Sequence, residues 1–199
     1  MTIAGNAIDR FKVVSQEHSN WCWAAVAASI DTFLDNRSTA TQRYIAGAAC
    51  RSEKGQPMRC KEDGKACEGK ALATCDRTYF LHTVLAELGW LRGEPIRKPL
   101  SFEELAGEID AGRPVAALIK WKENDGKPGN SGHFITFKGY IVTNAGVRYV
   151  SVDDPLFEDT DVPYDVLSDP QHGYRDGRGV WFASFLVNEK RASARTRRI

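Results

Sequence analysis

Three features of the sequence predict an α+β domain in which helices come first and an antiparallel sheet follows. The first half carries apolar residues at helical spacing, above all Cys22, Val26, Ile30, Phe33 and Leu34. The second half changes period. Residues 115–121, 133–140, 147–152 and 180–187 are apolar or alternating runs rich in Val, Ile, Phe, Tyr and Trp. The turn Asn144-Ala145-Gly146 joins the middle two runs at hairpin distance, so they are expected to pair antiparallel. At 199 residues the chain has the length for one domain with a substantial core. That domain is placed at 1–189, before a flexible tail at 190–199 that holds Lys190, Arg191, Arg195, Arg197 and Arg198 and no acid.

Each element has a local cause. Residues 11–14, Phe-Lys-Val-Val, read as a short strand feeding a polar loop. Ser19 or Asn20 is expected to cap the helix that begins near Cys22, and Asp35 to Ser38 end it. A second helix is expected over 41–49, with Tyr44, Ile45 and Ala48 inward. From Cys50 to Cys75 the chain turns polar and loses period. A loop of that length needs tying down in a compact domain. The cysteines are natural staples. With Cys22 set aside, Cys50, Cys60, Cys67 and Cys75 form an even set, which fits one reactive thiol plus two disulfides and an oxidising destination. Their spacing matches no common zinc pattern, and four unpaired thiols are the other reading. Helical spacing resumes over 76–88 with Gly89 in the C-cap position. Ser101 and Glu104 have the capping-box form and open a helix through Ile109, stopped by Gly112 and Pro114. Residues 122–132 read as a Gly/Pro/Asn-rich loop.

Charge and hydropathy exclude several classes. The net charge of +1 gives the molecule no electrostatic reason to seek nucleic acid or a membrane surface. No apolar run approaches the ~20 residues that a spanning helix needs. The first ten residues lack the basic start and apolar stretch of a secretory signal. Export would then use a leaderless route, or the sequence is the mature part of something longer; otherwise the protein is cytoplasmic.

The chemistry gathers at Gln16-Glu17-His18-Ser19-Asn20-Trp21-Cys22-Trp23. A thiol at a helix N-terminus feels the positive end of the macrodipole and the free N–H groups there, which favour its ionised form. A side-chain amide just upstream, that of Gln16, can donate to the oxyanion that thiolate attack creates. Such a thiol needs a base. Of the four histidines, His18 sits on the Gln16 loop, His82 lies mid-helix and His172 lies in a turn. His133 follows the glycine loop 129–132 and opens a buried strand, so its ring can be exposed in a cleft while its backbone is fixed. The base in turn needs an orienting group. The hairpin returns Asp153-Asp154-Pro155 beside the His133 strand, where a carboxylate can accept the imidazole N–H. Strand alternation sends the two aspartates to opposite faces, so only one should meet His133.

Gln16-x5-Cys22-Trp23-Ala24, Ser131-Gly132-His133-Phe134 with Gly139-Tyr140, and Asp153-Asp154-Pro155 together resemble the papain-like cysteine peptidases. The pattern is closer to their bacterial branch, which contains AvrRpt2-type effector peptidases and the bacteriocin-processing, C39-like peptidases. The resemblance spans about 11–167. It implies a papain-like fold, Cys22 as nucleophile, His133 as base and then acid, Asp154 before its proline as the orienter, and Gln16 as oxyanion donor with the Cys22 N–H. Asp153 stays open as the alternative orienter. The resemblance also implies a monomeric thiol peptidase that forms a covalent acyl-enzyme on a protein or peptide substrate, needs no metal or cofactor, and is delivered outside the cell as an effector or toxin, with an inhibitor or immunity protein as a conceivable partner. A peptidoglycan amidase, an acyl transferase with the same residues and a non-catalytic binding module are the other readings.

Overall fold

The computed structural model describes residues 2–52 and 75–189. The expected staples at Cys60 and Cys67 and the tail at 190–199 lie outside them. The elements run β1 (Thr2–Ala7), α1 (Cys22–Leu34), α2 (Gln42–Ser52), α3 (Leu81–Glu87), α4 (Phe102–Asp110), β2 (Val115–Lys122), β3 (Pro128–Thr143), β4 (Arg148–Asp153), β5 (Thr160–Pro163), α5 (Tyr164–Ser168) and β6 (Gly179–Phe185). Apart from β1 and the short α5, helices precede an antiparallel sheet, as the change of period predicts.

The sheet is ordered β5-β4-β3-β2-β6, and β1 joins on β3. All its ladders are antiparallel. The long β3 is its spine. On one side β3 meets β4, with Thr136 opposite Asp153. Along the other side it pairs first with β2, Ile119 opposite His133, and then with β1, Ala7 opposite Gly139. Gly139 lies where these ladders converge: a Cβ there would stand 3.0 Å from Asn6 O and 3.1 Å from Ser151 Oγ. Only a residue without a side chain lets both neighbours close in.

Helix α1 is buried all round except at Thr32 and Phe33. Its run of alanines keeps it thin, so α2, α3 and β3 approach it from different sides. A helix apolar on every face belongs in the core rather than on it. The polar Asp31 is accommodated there by the Trp90 indole, which donates at 2.5 Å, and by the Ser38 hydroxyl. The core continues through Trp21, Trp23, Leu81, Leu85, Phe137 and Trp181.

Several expectations require correction. Residues 11–14 form no strand. Phe11 and Val13 are buried, but the Val13 N–H donates to Asp153 Oδ2 at 2.8 Å and the Val14 N–H to Ser29 Oγ at 3.0 Å. Side chains take the place of a ladder partner, and the N-terminal strand is β1 instead. The helix expected over 76–88 covers only Leu81–Glu87, with Gly89 in the left-handed region (φ 79) just beyond it. The Asp76 carboxylate serves the Ser19–Asn20 turn rather than a helical first turn. The loop expected at 122–132 is a tight connection. β3 already starts at Pro128, an allowed place for proline because the first strand residue need not donate to the ladder. His133 therefore stands within a strand, not at its beginning. The last strand ends at Phe185, and Val187 makes only an isolated bridge to Leu91.

The capping box at α4 forms as expected. The Glu104 N–H donates to Ser101 Oγ at 3.2 Å and the Ser101 N–H to Glu104 Oε2 at 2.8 Å. Ser101→Ala is expected to lower the free energy of unfolding by about 1 kcal/mol in a denaturant titration. An unchanged midpoint would show that the tertiary contacts of α4 alone hold its first turn.

Candidate active site

Cys22 is the first residue of α1, a buried free thiol. The helix has no side-chain cap: Trp21 occupies the N-cap position without offering an acceptor. The expected caps point elsewhere. Ser19 Oγ donates to Asp76 Oδ2 and the Asn20 N–H to Asp76 Oδ1, each at 3.0 Å. The first helical bond runs from the Ala25 N–H to Trp21 O at 2.9 Å. The N–H groups of Cys22, Trp23 and Ala24 precede it, so they are the donors a helix start leaves for an anion. Two indoles fix this start, Trp21 Nε1 donating to Cys75 O at 2.9 Å and Trp23 Nε1 to Arg77 O at 3.0 Å.

On the sheet, period-two alternation puts His133 on the same face of β3 as Ile135 and Phe137. Its Nε2 lies 2.7 Å from Asp154 Oδ1, which leaves Nδ1 as the nitrogen free to serve the Cys22 thiol, whose influence reaches the ring. Burial disfavours the charged ring. The hydrogen bond to Asp154 and the influence of Cys22 outweigh it and lift the His133 pKa from 6.5 to about 9. Asp154 has the mirror-image balance. Burial pushes its pKa up, but the bond to His133, the His133 charge, the Leu156 N–H and the Tyr174 hydroxyl hold it below the usual carboxylate range.

Asp154 is thus fully saturated. Oδ1 accepts from the Leu156 and Phe157 N–H groups at 2.8 and 3.0 Å as well as facing His133, and Oδ2 accepts from Tyr174 Oη at 2.8 Å. Asp153 turns the other way, as alternation requires. Its Oδ2 accepts from the Val13 N–H and from Lys138 Nζ at 3.1 Å. Burial raises its pKa. Of the two carboxylates left open by the sequence, Asp154 is the one beside His133.

Gln16 sits on the same side, its own N–H donating to Pro155 O at 2.8 Å, which ties the loop to the Asp154 turn. Its side-chain Nε2, however, donates to His18 O at 2.9 Å and Ser19 O at 3.0 Å, while Oε1 is buried without a partner. In this conformation both amide hydrogens serve the loop's own carbonyls. Gln42 clamps the loop from α2: its Nε2 donates to Ser15 O at 2.7 Å and its Oε1 accepts the Glu17 N–H at 3.0 Å.

Three more residues of the site carried no local signal. Tyr174, 1% exposed, reaches Asp154 across 20 positions of sequence. Trp121 stacks on the His133 ring with centroids 6.0 Å apart, and Phe157 meets it edge-on at 5.9 Å. Gly179 makes room for that indole, since a Cβ there would stand 3.1 Å from the Trp121 ring and 2.4 Å from Ile119 Cγ2. The remaining histidines stay outside: His18 rests edge-on against Trp21, His82 stacks on Phe185, and His172 pairs with Asp169 in an exposed turn.

A cysteine on a buried helix start, facing a histidine and a carboxylate carried by an antiparallel sheet, is the arrangement of the papain-like cysteine peptidases, and the fold is theirs too. Within that class, residues 8–178 match the model of the Peptidase_C39 like family, and the chain belongs to that family. Comparison with curated protein sequences gives no match. Among solved structures, the chain is similar to a crystal structure from Bacillus anthracis described as a C39-like peptidase, with 15% identity and a TM-score of 0.54 over 94% of this chain and 100% of that one. At that identity the likeness speaks for the fold alone.

Proposed function

We propose that this chain hydrolyses peptide bonds through a Cys22–His133–Asp154 triad and a covalent acyl-enzyme. The observation that carries the reading is a buried imidazole seated 2.7 Å from the Asp154 carboxylate and under the influence of the free Cys22 thiol at a helix start, surroundings that raise its pKa to about 9. Such a pair stores a nucleophile and an acid side by side. Sγ of Cys22 attacks the carbonyl carbon, and the developing oxyanion takes the Cys22 N–H at the helix start. Gln16 becomes its second donor once its amide turns away from His18 O and Ser19 O. The C–N bond breaks as His133 gives its proton to the leaving nitrogen. A water then loses a proton to His133 and attacks the thioester, releasing the carboxylic product and restoring the pair. Asp154 stays ionised throughout and stabilises the imidazolium.

The finer proposals rest on the cysteine-bearing segment. We propose two disulfides among Cys50, Cys60, Cys67 and Cys75, supported by the bonded state of Cys75, and an effector or toxin delivered outside the producing cell as a monomer, since structural disulfides persist in oxidising surroundings. Among the described residues no helix is long and apolar enough to cross a membrane.

Iodoacetamide labelling followed across pH tests the catalytic reading. Cys22 is expected to react faster than a free thiol at neutral pH, with a change in rate near pH 9 as His133 loses its proton. A rate equal to that of a free thiol, unaltered by His133→Ala, would sink the proposal.

A further inference from the structure

We infer that the cavity beyond Trp121 and Phe157 receives an acidic side chain on the leaving-group side of the scissile bond, with Arg175 as its cation. The inference rests on the peptidase reading and adds a substrate class to it. The cavity has a volume of about 510 Å³, ample for a glutamate side chain and the backbone that carries it. Its position follows from the two rings. Trp121 and Phe157 wall it on one side and contact His133 on the other. His133 protonates the leaving amine, so chain beyond that amine passes this wall. Residues of the Gln16 loop, which faces the oxyanion, do not line it.

Arg175 is built into this wall in an unusual state. Its guanidinium lies over the Phe157 ring, 4.0 Å from the centroid. Nε and Nη2 are buried without a hydrogen-bond partner, and among the described residues no carboxylate forms an ion pair with it. An arginine has five donors in a fork that fits a carboxylate, and leaving some buried and unused is costly. The other cations on the cavity differ. Lys122 Nζ donates to Gln171 O at 2.9 Å, and Arg178 Nε to Arg175 O at 3.1 Å. Glu123 and Asp176 also border the cavity, so its charge is mixed. Neither acid forms an ion pair with Arg175, and the three cations outnumber them.

The backbone holds the arginine in place. Arg175 and Asp176 both adopt left-handed conformations (φ 53 and 57) in a turn closed by the Tyr174–Gly179 bridge. For residues other than glycine this is a strained choice, kept where the surrounding structure enforces it. The same turn delivers Tyr174 Oη to Asp154. Arg175 is therefore fixed relative to the reacting atoms, as a specificity residue must be.

The test is a cleavage profile of the full-length protein and its Cys22→Ala variant on a proteome-derived peptide mixture. The readout is the frequency of each residue type at the first four positions after the cut. Cys22-dependent cuts are expected to show Asp and Glu enriched about fivefold over Asn and Gln at one of these positions, the size of one half-exposed charge pair. Arg175→Gln should bring that ratio to about one, and Arg175→Glu should favour Lys and Arg there instead. Because each ratio is taken within one variant, a change in overall activity does not disturb it. Cys22-dependent cuts without acidic enrichment, or enrichment that survives Arg175→Gln, overturn the subsite and leave the peptidase reading standing. If no cut depends on Cys22, both fall.

Discussion

Replacing Cys22 by alanine is expected to reduce peptide cleavage by on the order of 10⁵-fold or more, His133→Ala by a comparable factor, and the double replacement by no more than either alone. Non-additivity is the informative part. A thiolate without its imidazolium lacks a proton for the leaving amine, and an imidazolium without the thiolate has nothing to attack with. Each loss disables the same step, so the second removes little further. The measurement is kcat/KM on an internally quenched peptide taken from a site found in the cleavage profile. His133→Ala retaining more than about one per cent of activity would mean that another group supplies the proton. The stability consequence has a definite sign. The folded pKa of about 9 exceeds the unfolded value of 6.5, so the stabilisation from His133 is complete below pH 6.5 and is lost as pH rises through 9. It amounts to on the order of 3 kcal/mol. Wild-type melting temperature should therefore fall between pH 6.5 and 9, a decline that His133→Ala largely abolishes.

The parts of this molecule that were legible in the sequence are those whose cause is local. α1 declares itself through Val26, Ile30 and Leu34 at helical spacing, and α4 through a capping box that forms as written. The β3–β4 hairpin follows from its turn, and strand alternation alone separates Asp153 from Asp154. What stayed hidden was decided by groups far apart in sequence. β1 contains Gly5 and Asn6, poor strand formers, and exists because the C-terminal half of β3 offers a free edge. Residues 11–14 have strand composition but find the Asp153 and Ser29 side chains before any strand edge. Ser19 and Asn20 would cap α1 if Asp76 did not claim them.

The site divides the same way. Spacing placed Cys22 at a helix start and His133 on a strand because both depend on neighbours within a few residues. The direction of the Gln16 amide depends on which carbonyls its loop presents, and no spacing rule encodes that. Tyr174 enters the site through a turn of two left-handed residues, an improbable conformation for Arg175 and Asp176 on local grounds. A buried carboxylate must be saturated with donors, so chemistry requires partners for Asp154, and the fold decides that Tyr174 is one of them.

That saturation separates two roles around His133, and Asp154→Asn and Tyr174→Phe are expected to reveal them. The asparagine keeps the shape but removes the charge that chiefly offsets the burial of the imidazolium. The His133 pKa should drop toward 6.5, so the alkaline limb of the pH–rate profile moves down from about 9. Activity at neutral pH should fall on the order of 10³- to 10⁴-fold, as tautomer and orientation are also lost. Asp154 itself has a depressed pKa, so its stabilising contribution is present above the ordinary carboxylate range and lost as pH falls through the folded value. In the asparagine variant that acid-side loss should vanish. Tyr174→Phe removes one donor from Oδ2 and leaves the Leu156 and Phe157 N–H groups to keep the carboxylate ionised. Its alkaline limb should stay near 9. The carboxylate is less firmly aimed, so kcat should fall about tenfold with KM little changed, and stability by about 1–2 kcal/mol for an under-satisfied buried oxygen. Tyr174 is then a positioning residue acting through Asp154. A limb that shifts in Tyr174→Phe as far as in Asp154→Asn would show instead that the hydroxyl is needed for the carboxylate's charge, and equal losses in kcat and stability with neither limb moving would assign both residues to the fold alone.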